Sequence, residues 1–122
     1  MHLGQSGDDA AARMSGVAIF RMVWDALVDL LGTAATAALV GRAARRALLR
    51  SPELGELAIR RVDREYSYVV PRSFNRAEGP PISLCNLLNE LRPLLVELTG
   101  QVALRRLERV PELRQWATIS PP

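Results

Sequence analysis

Arginine is the residue type in this sequence with the greatest capacity to recognise another molecule. All sixteen cationic side chains are arginines, and no lysine is present. The stretch GTAATAALVGRAARRALLR contains four of them and no acidic residue: Arg42, Arg45, Arg46 and Arg50. A guanidinium group can bind a carboxylate or a phosphate through two parallel hydrogen bonds. The stretch therefore predicts a contact surface for an acidic protein or for nucleic acid, or else a face that meets only water.

Several residue types that catalysis commonly uses are absent or isolated, and the carboxylate pairs lie among arginines in patterns that suit solvated faces. The single histidine, His2, lies near the N-terminus, which excludes Ser-His and Cys-His nucleophile systems and most zinc sites. Without lysine, neither a Schiff base nor a P-loop lysine is available. Cys85 lies among leucines in a helical pattern, which favours a small buried thiol over a reactive one. We therefore predict that the protein is not an enzyme and holds no cofactor and no metal.

Two tyrosines offer another kind of recognition. Tyr66 and Tyr68 alternate along a predicted strand and could stack on bases, although a strand packed on a core gives the same pattern more often. Together with Trp24, they could also line a cavity for a small apolar ligand between a hairpin and the helices. A small-ligand sensor is therefore a third functional hypothesis.

The first helix is predicted from about Ser15 to Leu31. Three charged residues recur at every fourth position and form one narrow polar strip: Arg21, Asp25 and Asp29. Most other residues are apolar, and a helix that is apolar over more than half of its circumference must be contacted from more than one side. The second contact could be another copy of the chain, so we predict a homodimer. The packing residues expected on this helix include Val17, Phe20 and Trp24.

A second helix is predicted from Thr33 to Arg50, joined to the first by Gly32 in a tight αα-hairpin. One face of this helix consists of small residues at helical spacing: Ala34, Ala37, Gly41 and Ala44. Such a shallow face lets two backbones come close together. We predict that it is a buried seam against a neighbouring helix, that Gly41 lies within a continuous helix, and that the arginines occupy the opposite side.

The same stretch can also be laid on the helix-turn-helix template, with Gly41 in the turn. The match fails where the template needs an apolar residue, because Arg42 occupies that position. A continuous helix also keeps the small-residue face unbroken. Nucleic-acid binding by the arginines of the second helix, helped by Arg60, Arg61 and Arg64, is therefore the alternative to a protein-interaction role.

The next part of the chain has the composition of strands. After a short helical turn over Pro52–Glu56, the runs LAIRRV and EYSYVV predict a β-hairpin that turns at Asp63 and Arg64. One face of the hairpin is expected to carry Leu57, Ile59, Tyr66, Tyr68 and Val70. Residues 71–81 are predicted to form a loop that Phe74 anchors.

Two further helices complete the predicted fold. Ser83 is expected to cap the third helix, and Pro93 to kink or break it near Asn89–Arg92 because proline lacks a backbone donor. Thr99 and Gly100 are expected to separate it from a last helix within residues 101–110. The predicted fold class is α+β and mostly helical, in the order αα-hairpin, β-hairpin, proline-kinked helix and C-terminal helix.

The predicted organisation is one domain over residues 15–117, with flexible tails at 1–14 and 118–122. The single cysteine, the absence of a signal-peptide pattern and the lack of about 20 consecutive apolar residues predict a cytoplasmic protein without a membrane span. The leading functional hypothesis is a small non-enzymatic protein-interaction or oligomerisation module, regulatory or adaptor in role. Its expected partners are a second copy of the chain or an unknown protein.

Overall fold

The structure is a computed structural model that describes residues 15–75 and 81–113. Its helices and strands are α1 Gly16–Leu31, α2 Thr33–Ala47, β1 Ala58–Val62, β2 Glu65–Val69, α3 Ile82–Thr99 and α4 Val102–Glu108. Short 3₁₀ turns cover Pro52–Glu56, Arg72–Asn75 and Pro111–Leu113. The predicted α+β, mostly helical fold and its element order are confirmed. The predicted tails and residues 76–80 and 114–117 lie outside the described residues.

The αα-hairpin forms as predicted, with one residue between its helices. The Ser15 hydroxyl oxygen caps α1 by accepting a hydrogen bond from the Ala18 backbone N–H at 3.2 Å. Gly32 ends α1 with a φ of 85°, where a side chain would be strained. The Thr36 hydroxyl donates to the Gly32 carbonyl oxygen at 2.8 Å. The Ser15 bond satisfies one of the N–H groups that the start of a helix leaves without partners, whereas the Gly32 carbonyl also accepts from the Thr36 backbone N–H at 3.2 Å.

The α2 helix is shorter than predicted. It ends at Ala47 instead of Arg50, and residues 48–50 form a turn. Ser51 is not helical, with a φ of −138° and a ψ of 83°, because the Pro52 ring disfavours helical backbone at the position that precedes it.

The core is built around α3. Six buried leucines of α3 face the other helices: Leu84, Leu87, Leu88, Leu91, Leu94 and Leu95. The helix runs without interruption through Pro93, so the predicted break is wrong, while a kink there stays a prediction. Pro81 occupies its N-cap position, whereas Ser83 is buried inside the first turn and does not cap the helix as predicted.

The β-hairpin packs one face against the helices. Ile59 pairs with Tyr68, and Arg61 pairs with Tyr66, which confirms the predicted register. Asp63 in the turn has a φ of 59°, a left-handed conformation that aspartate tolerates better than most residues. The Tyr68 ring centroid lies 4.9 Å from those of Phe20 and Trp24 on α1. Aromatic contacts therefore hold β2 against the first helix.

The segment after the hairpin is anchored as predicted. Phe74 is fully buried, and its ring centroid lies 6.1 Å from that of Phe20. The Arg72 backbone N–H donates to a carboxylate oxygen of Glu56 at 3.2 Å. Residues 72–75 are therefore a 3₁₀ turn fixed to the body of the domain.

A candidate interaction groove between α2 and the hairpin

An open groove lies between one face of α2 and the β-hairpin, and we call it the α2 groove. Its volume is about 520 Å³. The α2 residues that form its floor are Ala34, Ala37, Ala38, Gly41 and Ala44. Because none of these side chains extends beyond Cβ, the helix surface is shallow there and leaves room for another molecule. Leu48 closes one end of the floor and is 39% exposed.

The opposite wall of the α2 groove comes from the hairpin and the 3₁₀ turn that precedes it. The residues of this wall are Leu54, Gly55, Leu57, Ile59 and Tyr66. Alternation along the strands puts Ile59 and Tyr66 on the face that looks toward the helices. The Arg61 guanidinium lies 5.9 Å from the centroid of the Tyr66 ring, within the range of a cation–π contact.

Within one chain, the predicted buried seam on α2 is wrong for three of its four residues, and only Ala37 is buried. Ala34 is exposed, and Gly41 and Ala44 are only partly buried. A different face of α2 packs into the core, and its buried members are Thr36, Ala37, Val40, Ala43 and Ala47. Both faces are made largely of small residues, so the helical pattern alone does not show which one α3 covers. The floor of the groove is the face that stays open.

Gly41 lies within a continuous helix, as predicted, but no backbone lies close to it. A Cβ placed on Gly41 would come within 4 Å of one neighbouring atom, Arg45 Nη1, at 3.7 Å. A Cβ on Gly16 would lie 2.8 Å from Pro81 Cδ and 3.1 Å from Phe74 Cα. The close approach expected at Gly41 therefore occurs at Gly16, the first residue of α1.

The four predicted contact arginines are all exposed. Arg45 lines the α2 groove beside Gly41, so the prediction that all four lie opposite the small-residue face is wrong for Arg45. The reason is that residues four apart share one side of a helix. Arg42 and Arg46 are also on α2, and Arg50 lies in the turn that follows it. Leu49 is 92% exposed within this basic stretch.

The residues predicted to form an oligomer contact on α1 are used within the chain. Phe20 and Trp24 are buried, and Val17 is partly buried against the core. Besides α2, the elements that cover α1 include α4, the strand β2 through Tyr68, and the 3₁₀ turns Arg72–Asn75 and Pro111–Leu113. The sequence predicted that Phe74 anchors the first of these turns, but it gave no sign that either turn would cover a helix. The apolar circumference of α1 therefore gives no reason to expect a second copy, and dimerisation stays a prediction.

The cavity lining predicted for a small ligand is only partly present. Tyr66 lines the α2 groove. Tyr68 and Trp24 instead pack against each other and against Phe20 in the core. The groove is therefore lined mainly by aliphatic side chains. The sequence feature that pointed most clearly to this surface was the small-residue face of the second helix.

The remaining reactive group is the thiol of Cys85. It is partly buried on α3, and burial raises the pKa of the thiol, an effect that a backbone hydrogen bond partly opposes. Within residues 15–75 and 81–113, no three His, Cys, Asp or Glu side chains come together in a way that could hold a metal ion. None of the helices in those ranges has both the length and the apolar character needed to cross a membrane.

Comparisons of the chain with protein-family models, with curated proteins and with solved structures found no match.

Proposed function

We propose that the protein is a small non-enzymatic interaction module, regulatory or adaptor in role, that holds a short apolar segment of a partner protein in the α2 groove. The observation that carries this proposal is the groove itself, an open space of about 520 Å³ with an apolar floor and wall. Its unpaired Cys85 suits a reducing compartment such as the cytoplasm.

The dimensions of the groove suit a segment of polypeptide. The floor extends from Ala34 to Leu48, which corresponds to roughly 20 Å along a helix. A helical segment of about 14 residues has the same length, and apolar grooves commonly bind such segments. The small side chains of the floor would allow the backbone of the partner to come close to α2.

Two further features favour a protein segment over a small ligand. Ligand pockets bury most of the surface of the molecule they bind, whereas the α2 groove is open to solvent. Leu48, at one end of the groove, is 39% exposed, and the next residue, Leu49, which does not line the groove, is 92% exposed. Apolar side chains beside an open groove extend the surface that a polypeptide could cover.

The proposal is tested by filling the groove. Displayed random peptides of about 14 residues, the helical length of the floor, would be selected on the full chain, and their affinities measured by fluorescence anisotropy. The substitution Gly41→Leu puts a large side chain on the floor, where the only nearby atom belongs to the flexible Arg45. The control, Ala35→Leu, adds the same side chain to α2 at a position that does not line the groove.

We expect peptides whose binding is lost in Gly41→Leu and kept in Ala35→Leu. Circular dichroism must show that both variants remain folded. If every selected peptide binds the two variants equally well, the groove is not the binding site and the proposal fails.

Nucleic-acid binding is the second candidate, and the observation that favours it is the exposure of Arg42, Arg45, Arg46 and Arg50. Binding to phosphates would weaken steeply with added salt, and replacing Arg42 and Arg46 by alanine would flatten that dependence. Anisotropy titrations with labelled DNA and RNA at several salt concentrations measure both effects. The absence of binding at low salt would dismiss this candidate.

A further inference from the structure

We infer that the segment bound in the α2 groove is acidic as well as apolar, with carboxylates that meet Arg45 on the α2 side and Arg61 on the hairpin side. This inference rests on the proposed function and adds the chemical class of the partner. It is carried by the charges around the groove, which are independent of its volume.

Arginines border the groove on both its α2 side and its hairpin side. Residues 33–50 include four arginines and no acidic residue, and all four arginine side chains are exposed. Arg45 lines the groove itself. On the opposite wall, the Arg61 guanidinium lies over the ring of Tyr66, which also lines the groove. A segment in the groove would therefore have cations on both sides, where carboxylates are favoured.

The same charges argue against a second copy as the occupant. In a two-fold symmetric contact, the same patch meets itself. Pairing two α2 grooves would therefore bring the arginines of both copies together, which is unfavourable for like charges at short range. A partner with acidic residues has no such cost.

The groove also favours an acidic peptide over a nucleic acid. Phosphate groups bind to arginine, to polar side chains and to backbone N–H groups, whereas the floor of the α2 groove consists of alanine and glycine. Leu49 is 92% exposed beside Arg50 and offers no group that a phosphate could bind. A peptide with both acidic and apolar side chains can use the arginines and the floor together.

The test uses two matched pairs of arginines. Arg45 and Arg46 lie in the last turn of α2, and Arg105 and Arg106 lie in the last turn of α4. Both pairs are exposed, and α4 contributes no residue to the groove. Replacing either pair by glutamine removes two positive charges from the last turn of a helix. The loss of favourable interaction with the helix dipole is therefore similar in the two variants.

The experiment selects displayed random peptides on the full chain at about 0.05 M salt, where screening is weak. We expect the peptides that Gly41→Leu blocks to be enriched in aspartate and glutamate as well as in apolar residues. Their affinity should fall roughly two- to tenfold in the Arg45→Gln, Arg46→Gln variant, since each exposed ion pair contributes little. The variant Arg105→Gln, Arg106→Gln should bind them as the unmodified chain does.

Other outcomes separate the inference from the proposed function. Peptides that are neutral or basic, are blocked by Gly41→Leu and are insensitive to Arg45→Gln, Arg46→Gln would overturn the inference and leave the groove as a binding site. Acidic peptides that both glutamine variants weaken equally would also overturn it, since net charge alone would explain the binding. If Gly41→Leu blocks no peptide, both the inference and the proposed function fail.

Discussion

At Gly41, the surface of α2 has no side chain, and a methyl group would contact only the flexible Arg45, at 3.7 Å. We expect Gly41→Ala to raise the free energy of unfolding by about 1 kcal/mol, because glycine within a helix is less favourable than alanine by that amount. Urea denaturation followed by circular dichroism measures the change. A loss of stability would mean that the floor of the groove is more crowded than it is in this structure.

The same substitution should have the opposite effect at Gly16. A Cβ there would lie 2.8 Å from Pro81 Cδ and 3.2 Å from the Phe74 carbonyl oxygen, and overpacking of this kind typically costs about 1–3 kcal/mol. We expect Gly16→Ala to lower the free energy of unfolding by about 1–2 kcal/mol in the same urea experiment. Equal effects at the two glycines would contradict the close contact at the start of α1.

Single residues were predictable from the sequence where neighbouring residues decide their role. The start of α1 near Ser15 was predicted from the apolar pattern that follows it, and Ser15 caps that helix, whereas the cap predicted at Ser83 does not form. The crowding at Gly16 has no local signal, because Phe74 and Pro81 lie far along the chain. For the same reason, the pattern around Gly41 showed that the helix was continuous and did not show whether another backbone lay against it.

The hairpin is held to the helices mainly through one of its two tyrosines. The Tyr68 ring contacts both Phe20 and Trp24, whereas Tyr66 lines the open groove. We expect Tyr68→Ala to lower the free energy of unfolding by about 2–3 kcal/mol, near the lower end for aromatic truncation because Tyr68 is only partly buried. Tyr66→Ala is the matched control and should cost less. Urea denaturation of the two variants makes the comparison, and a larger loss for Tyr66 would contradict it.

A polar contact links the turn after α2 to α3. The Asn86 side-chain amide donates to the Ser51 hydroxyl oxygen at 2.8 Å, and Ser51 is only 3% exposed. Asn86→Ala should cost about 1–2 kcal/mol because it removes one member of a buried hydrogen-bonded pair, whereas the exposed Asn89 should tolerate alanine. In a double-mutant cycle measured by urea denaturation, Ser51→Ala combined with Asn86→Ala should cost less than the sum of the single changes. Strict additivity would contradict the contact.

The order of the elements and most of their boundaries follow from local patterns. The hairpin register was predictable because a two-residue turn at Asp63 and Arg64 fixes every cross-strand pair. The α2 groove was not predictable, because α2 has two adjacent faces of small residues. Which of these faces is buried depends on the leucines of α3. Four of the α2 residues that line the groove, Ala34, Ala37, Gly41 and Ala44, were thus named in advance, but were assigned to a buried seam instead of an open surface.

For the whole molecule, the division of charge limits how copies of the chain can associate. Residues 33–50 are basic, whereas the exposed acids Asp25 and Asp29 lie on α1 beside Arg21. The main apolar residues of α1 are covered by the chain's own elements. The α2 groove is therefore an apolar opening that the chain leaves available to another molecule, and its rim repels a second identical rim.

This division of charge predicts how self-association should depend on salt. Because like charges repel less when they are screened, a dimer formed through the α2 groove should strengthen as salt is raised from about 0.05 M to about 0.5 M. Binding of an acidic peptide should weaken over the same range. Sedimentation velocity at each salt concentration measures the dimer fraction, and Arg45→Gln with Arg46→Gln should raise that fraction at low salt. A dimer that is strongest at low salt would contradict this prediction, because acidic residues of one copy would have to contact arginines of the other. The exposed Asp25 and Asp29 would then be the expected acidic contacts.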